Sequence, residues 1–128
     1  MKLRTHRMID ESLSGRLVRL EEGRATVRLS TSQAMAADER GLVHGGFLFS
    51  AADYAAMAAV NDPRVVLGAA ETKFLAPVRK GETVMFTAEV TQVKGKKRIV
   101  AVSGRVDDRT VFEGDFICFV PERHVLEY

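Results

Sequence analysis

Two features of the sequence have residue types and spacing suited to chemistry: the tripeptide His44-Gly45-Gly46, and Asp53 eight positions after Gly45. Glycines at a helix start let a ligand approach the backbone closely. The first amides of a helix lack intrahelical acceptors, and the helix dipole favours negative charge beside them. Such amides suit a carbonyl oxygen that gains charge during nucleophilic attack. The plain alternative is that His-Gly-Gly only turns the chain into a helix, with His44 a capping or packing residue.

Asp53 lies inside HGGFLFSAADYAAMAAVN, residues 44–61, where Ser50 is the only other clearly polar side chain within the helix. A buried carboxylate is costly unless it is paired or hydrogen-bonded, and its pKa is displaced. Asp53 is therefore the candidate general base or nucleophile, the alternative being an ion pair or a bond to strand backbone. Eight residues of α-helix span roughly 12 Å. One helix cannot bring its own first amides and its own Asp53 to a single carbonyl. Two copies packed antiparallel can, so if both features are catalytic the active unit is a symmetric dimer with two sites at its interface.

The elements that must position these residues can be read from periodicity. Arg16 to Leu20 and Arg24 to Ser30 flank Glu21-Glu22-Gly23, and Ala25, Val27 and Leu29 alternate with polar neighbours, which predicts a β-hairpin. Thr31 to Arg40 reads as a loop or a short helical turn. The stretch after His44 is rich in helix formers, is hydrophobic on all faces, and stops at Asn61-Asp62-Pro63. Beyond Pro63 the pattern is strand: Arg64 to Leu75, then an alternating run through Val84, Phe86, Ala88 and Val90, then Ile99 to Val106 and Val111 to Val120. Lys94-Gly95-Lys96 and Asp107-Asp108 mark turns. Two strands, one long buried helix and about four more strands on short connections predict an α+β chain. The expected architecture is a hotdog fold, in which a curved antiparallel sheet wraps one central helix.

Composition sets limits on function. A chain of 128 residues, 46% hydrophobic and 28% charged, fits a single globular domain, read here as residues 1–128. The net charge of +2 gives no basic stripe of the kind nucleic-acid binders carry. One cysteine, Cys118, allows no intramolecular disulfide, and with no signal peptide visible the expected compartment is the cytoplasm. The apolar run from Gly41 to Asn61 contains His44 and Asp53 and reads as a core helix, not a membrane span.

HGGFLFSAADYAAMAAVN, with TKFLAPVRKGETV and a Val-Lys-Gly-Lys turn after it, resembles the hotdog acyl-CoA thioesterases of the phenylacetate-degradation type (PaaI-like) and their thioesterase-superfamily relatives. The likeness runs from about Gly41 to about Phe119. It implies hydrolysis of an acyl-CoA thioester to a free acid and CoA, with no metal and no cofactor besides the CoA of the substrate. By position, Gly46 would donate its amide to the thioester carbonyl with Gly45 beside it. His44 would orient the loop or sit near the thioester. Asp53 of the other subunit would activate water or attack directly. The likeness also implies a homodimer, often paired into a tetramer.

Two positions depart from the family pattern. Six residues before the histidine, where the family commonly has a water-positioning asparagine, this chain has Asp38, which either takes over that role or weakens the site. A serine or threonine of some relatives corresponds to Leu67, with Thr72 an unmatched substitute. A basic rim for CoA phosphates is expected from Arg79 and Lys80 and from Lys96, Lys97 and Arg98; the plain alternative is solvated turn charges. Phe47, with Phe49, Tyr54 and Met57, is a candidate for the acyl pocket, although residues at helical spacing also build core. Two other functions compete. One is a non-catalytic acyl-CoA-binding or sensing hotdog domain. The other is a hydratase, which ranks last because no paired acid and histidine accompany the motif.

Overall fold

The computed structural model describes residues 1–127. A short helix α1 (Glu11–Ser14) is capped by Asp10, whose side chain accepts from the Ser12 amide. Strands β1 (Arg16–Glu21) and β2 (Arg24–Ser30) form the expected hairpin around Gly23, which holds a positive φ of 75°. A single 3₁₀ turn, Gln33–Met35, follows. Helix α2 spans Gly45–Val60 and ends where Asn61 adopts the left-handed conformation (φ 51°, ψ 43°). The Asn61 side chain then ties down the N-terminal segment. Its Oδ1 accepts from the Arg4 amide at 2.7 Å, and its Nδ2 donates to the Lys2 carbonyl at 3.0 Å.

After α2 come β3 (Val66–Phe74), β4 (Thr83–Lys94), β5 (Lys97–Val106) and β6 (Arg109–Phe119). All neighbours pair antiparallel, in the order β1-β2-β4-β5-β6-β3. The strands match the expected segments to within a few residues; α1 was hidden in a stretch that reads only as polar.

Ala25, Val27, Leu29, Val84, Phe86, Ala88, Val100, Val102, Phe112, Phe116 and Cys118 face inward and are buried. They enclose nine buried residues of α2, from Leu48 to Ala59. The small side chains of α2 let the sheet approach the helix closely, and burial of the apolar surface, at about 25 cal/mol per Å², holds the two together. This is the hotdog architecture, a curved antiparallel sheet around one main helix. The helix lies mainly against β2 and β4 and only marginally against β6 and β3. One flank of α2 is therefore open beside β3, whose second edge has no strand partner among the described residues.

The two sheet edges differ in kind. β1 carries a register shift between Leu17 and Arg19 along its pairing and exposes Arg16 and Arg19, devices that discourage edge pairing. β3 presents Gly68, Ala69 and Ala70, exposed and small. No helix among the described residues is long and apolar enough to cross a membrane.

Candidate functional site

Helix α2 starts at Gly45 because the preceding loop is held from two sides. The Val43 amide donates to the Val78 carbonyl at 2.8 Å and the His44 amide to the Met35 carbonyl at 2.9 Å. His44 occupies the N-cap position with extended backbone, and its side chain makes no capping bond. The amides of Gly45 and Gly46, the first of the helix, are thus not covered by a capping side chain. The imidazole lies over Gly46 and meets Phe47 edge-to-face, with ring centroids 6.3 Å apart. Phe47 is half-buried beside it.

One helical stripe carries Gly45, Phe49 and Asp53, spaced four apart. Gly45 is covered by Phe74 of β3, and Phe49 packs on Phe116 of β6 at 5.5 Å. Asp53 is close enough to Cys118 of β6 for its charge to be felt there. Burial, with the Asp53 charge adding to it, pushes the Cys118 thiol up to about 12. The stripe therefore faces the open flank beside β3. Asp53 is partly buried, and its Oδ1 is inaccessible and has no hydrogen-bond partner among the described residues. Burial raises its carboxyl pKa from 3.8 to about 6. The ion pair that would explain this acid as scaffold is absent among the described residues. Ser50, the other polar residue of the helix, does have a structural partner: its hydroxyl is 2.7 Å from that of Ser14 in α1.

The remaining expected residues are spread out. Asp38 is exposed, and its Oδ1 accepts the amides of Arg40 at 2.9 Å and Leu42 at 3.1 Å, shaping the turn that leads to His44. Leu67 pairs opposite Cys118, at the level of Asp53. Thr72 lies further along β3, opposite Gly114, with its methyl group where a Gly114 β-carbon would sit. Tyr54 and Met57 are buried in the core and line neither of the two cavities described below.

The basic residues form two groups at opposite ends of the sheet. Arg79 and Lys80 precede β4, at the end where α2 begins, and the Lys80 ammonium donates to the Gln33 side chain. Lys96, Lys97 and Arg98 lie at the β4–β5 turn, about 36 Å away along the twelve residues of β4. There Lys96 is 3.5 Å from Glu122, and Arg98 donates to the Gly95 carbonyl at 2.6 Å. A cavity of about 430 Å³ at the α2 end is lined by Asp38, Leu42, Arg79 and Glu82, together with Arg40 and Arg109, two arginines not singled out in the sequence. Arg109 is paired there with Glu82 at 3.1 Å. A second cavity of about 480 Å³ lies on the outer sheet face among Glu71, Glu89, Glu113 and Asp115. Neither cavity contains Asp53 or the glycine amides. Among the described residues no three His, Cys, Asp or Glu side chains form a metal-ligand cluster.

The model of the thioesterase superfamily matches residues 40–113, a span that includes the glycine loop, α2 and Asp53. The chain belongs to the thioesterase superfamily. Among solved structures it is similar to an uncharacterised Pyrococcus horikoshii protein, PH1136. The TM-score is 0.98 at 46% identity, covering 99% of this chain and 98% of that one. The PaaI protein of the Escherichia coli phenylacetic acid degradation operon superposes with a TM-score of 0.78 at 26% identity, covering 85% of each chain. Two longer proteins also match. Methylthioribose-1-phosphate isomerase of Aquifex aeolicus is 52% identical over 91% of this chain, which spans 25% of that protein. Transcription factor FapR of Caldanaerobacter subterraneus is 29% identical over 88% of this chain, which spans 57% of that protein. The chain thus covers a quarter to about half of these relatives' length.

Proposed function

We propose that residues 1–128 form one hotdog domain that hydrolyses an acyl-CoA thioester in the cytoplasm, acting as a homodimer or a dimer of dimers. The observation that carries this reading is Asp53: a carboxylate with an unpartnered buried oxygen on a helix whose one other polar side chain, Ser50, is bonded to Ser14, aligned with Gly45 on the stripe that faces the open flank of β3. Membership of the thioesterase superfamily supports the reaction class.

In this reading a second copy packs antiparallel against that flank, and its Gly45 and Gly46 amides approach Asp53. The thioester carbonyl lies between them. Asp53 takes a proton from water, and the resulting hydroxide attacks the carbonyl carbon. The glycine amides hold the oxyanion, the C–S bond breaks, and the proton passes from Asp53 to the CoA thiolate. Direct attack by Asp53, giving an anhydride that water then cleaves, uses the same geometry. An antiparallel pair also brings the Arg79–Lys80 end of one subunit beside the Lys96–Arg98 end of its partner. The two basic groups, separated in one chain, then serve one set of CoA phosphates. A site shared in this way is an open surface in a single chain, in keeping with Asp53 lining neither of the two cavities described.

The test is thiol release from a panel of acyl-CoAs by the wild type and by Asp53→Ala. Turnover that the variant loses, with the oligomer intact, is the expected result; turnover unaffected by the substitution contradicts the mechanism. A second reading, an acyl-CoA-binding effector domain without turnover, is favoured by the likeness to the FapR transcription factors. Tight binding with no thiol release by the wild type would select it.

A further inference from the structure

We propose that Phe74 is a specificity-determining residue that walls the acyl side of the site and limits how much bulk is accepted next to the thioester carbonyl. This rests on the thioesterase reading above. Phe74 is the last residue of β3, on the sheet's inner face, and is 52% exposed, more than any other phenylalanine of the chain. Phe86, Phe112 and Phe116 are fully buried. A half-exposed aromatic ring on an inner face, at the flank where the second copy is placed, is available to whatever lies between the two chains.

The ring is nonetheless fixed on two sides. It meets Phe112 edge-to-face, with centroids 5.2 Å apart and planes at 84°, and Phe112 is anchored in turn on Phe86 and Phe116. On the other side it occupies the space that a side chain at position 45 would use. A β-carbon built on Gly45 stands 3.2 Å from Phe74 Cε1 and 3.5 Å from Cδ1. The held ring therefore stands directly beside the first amides of α2. An acyl group whose carbonyl oxygen reaches those amides has its α- and β-carbons next to this ring. The ligand class that reads Phe74 is thus the acyl-CoA, discriminated by branching or an aryl group close to the carbonyl. Opening or filling such a pocket changes relative kcat/KM by about 10- to 200-fold.

The experiment measures kcat/KM for acetyl-CoA and for CoA esters branched or aryl-substituted next to the carbonyl, with wild type, Phe74→Ala and Phe74→Trp. Light scattering and thermal melting accompany each protein. The ratio of bulky to acetyl substrate is expected to rise at least tenfold in Phe74→Ala and to fall in Phe74→Trp. If Phe74→Ala loses the wild-type oligomer, Phe74→Leu replaces it, with a smaller rise expected. A ratio unchanged in every folded variant overturns the proposal while leaving the thioesterase reading intact. If the wild type hydrolyses none of the panel, that reading fails, and the same ratio is taken from dissociation constants by calorimetry. An unchanged ratio of Kd, or no binding at all, then overturns the role of Phe74.

Discussion

The imidazole of His44 lies over the α-carbon of Gly46: a β-carbon built there would stand 3.2 Å from His44 Cδ2 and 3.3 Å from Nε2. The glycine is helical, so backbone strain is not what demands it. What demands it is the ring and the open approach to the amide. Gly46→Ala is expected to displace His44 and lower kcat for thiol release about tenfold or more, with the melting temperature almost unchanged. Full activity in the alanine variant would remove Gly46 from the oxyanion site.

The pH dependence of turnover follows from Asp53. Its carboxyl titrates near 6 because burial disfavours the charged form, and only the carboxylate can act as base or nucleophile. kcat/KM should rise with pH through about 6 and level off above it. A profile flat between pH 5 and 7 would show that this group is not the one titrating.

Stability runs the opposite way. The folded pKa of Asp53 lies above its unfolded value near 3.9, so folding favours the protonated acid. The resulting stabilisation is fully present below about pH 4 and is lost as pH rises through 6. Discounted for partial exposure, the cost of the ionised form at pH 8 is about 1–2 kcal/mol. Asp53→Asn should therefore melt a few degrees higher than the wild type at pH 8 and almost equally at pH 4, while losing turnover. A variant less stable at pH 8 would indicate that the carboxylate has a stabilising partner.

Asp38 holds the loop before His44 through two backbone amides that meet a single side-chain oxygen. An asparagine offers the same oxygen. Asp38→Asn should keep kcat within a few-fold, whereas Asp38→Ala, which leaves both amides without that acceptor, should lower both kcat and stability, the latter by about 1 kcal/mol. Equal loss in both variants would assign the negative charge itself a role.

The strands and α2 were legible because their periodicity is strong: Val27 and Leu29, or Val84 and Phe86, alternate with exposed neighbours, and Asn61 ends the helix in a conformation its residue type favours. The glycine loop and Asp53 stood out by type and spacing alone. Phe74 stood out only as part of TKFLAPVRKGETV; its exposure was not legible, because it depends on β3 being the end strand of the sheet, a matter of topology. Arg40 and Arg109 escaped notice for a related reason. They are 69 residues apart in sequence, and only the pairing of loop and sheet brings them to one cavity. The separation of Arg79 and Lys80 from Lys96, Lys97 and Arg98 follows from β4, the alternating strand that lies between them, although charge alone carries no signal of it.

Subunit mixing tests the shared site most directly. Asp53→Ala and Gly46→Val, each expected to be inactive alone, are co-refolded or co-expressed in equal amounts, and thiol release is measured. If one chain supplies the glycine amides and its partner supplies Asp53, half of the dimers are mixed and each carries one intact site. Activity then returns to about a quarter of the wild type. If the mixture stays as inactive as its components while mixed dimers are shown to form, the two groups do not belong to different subunits of one site.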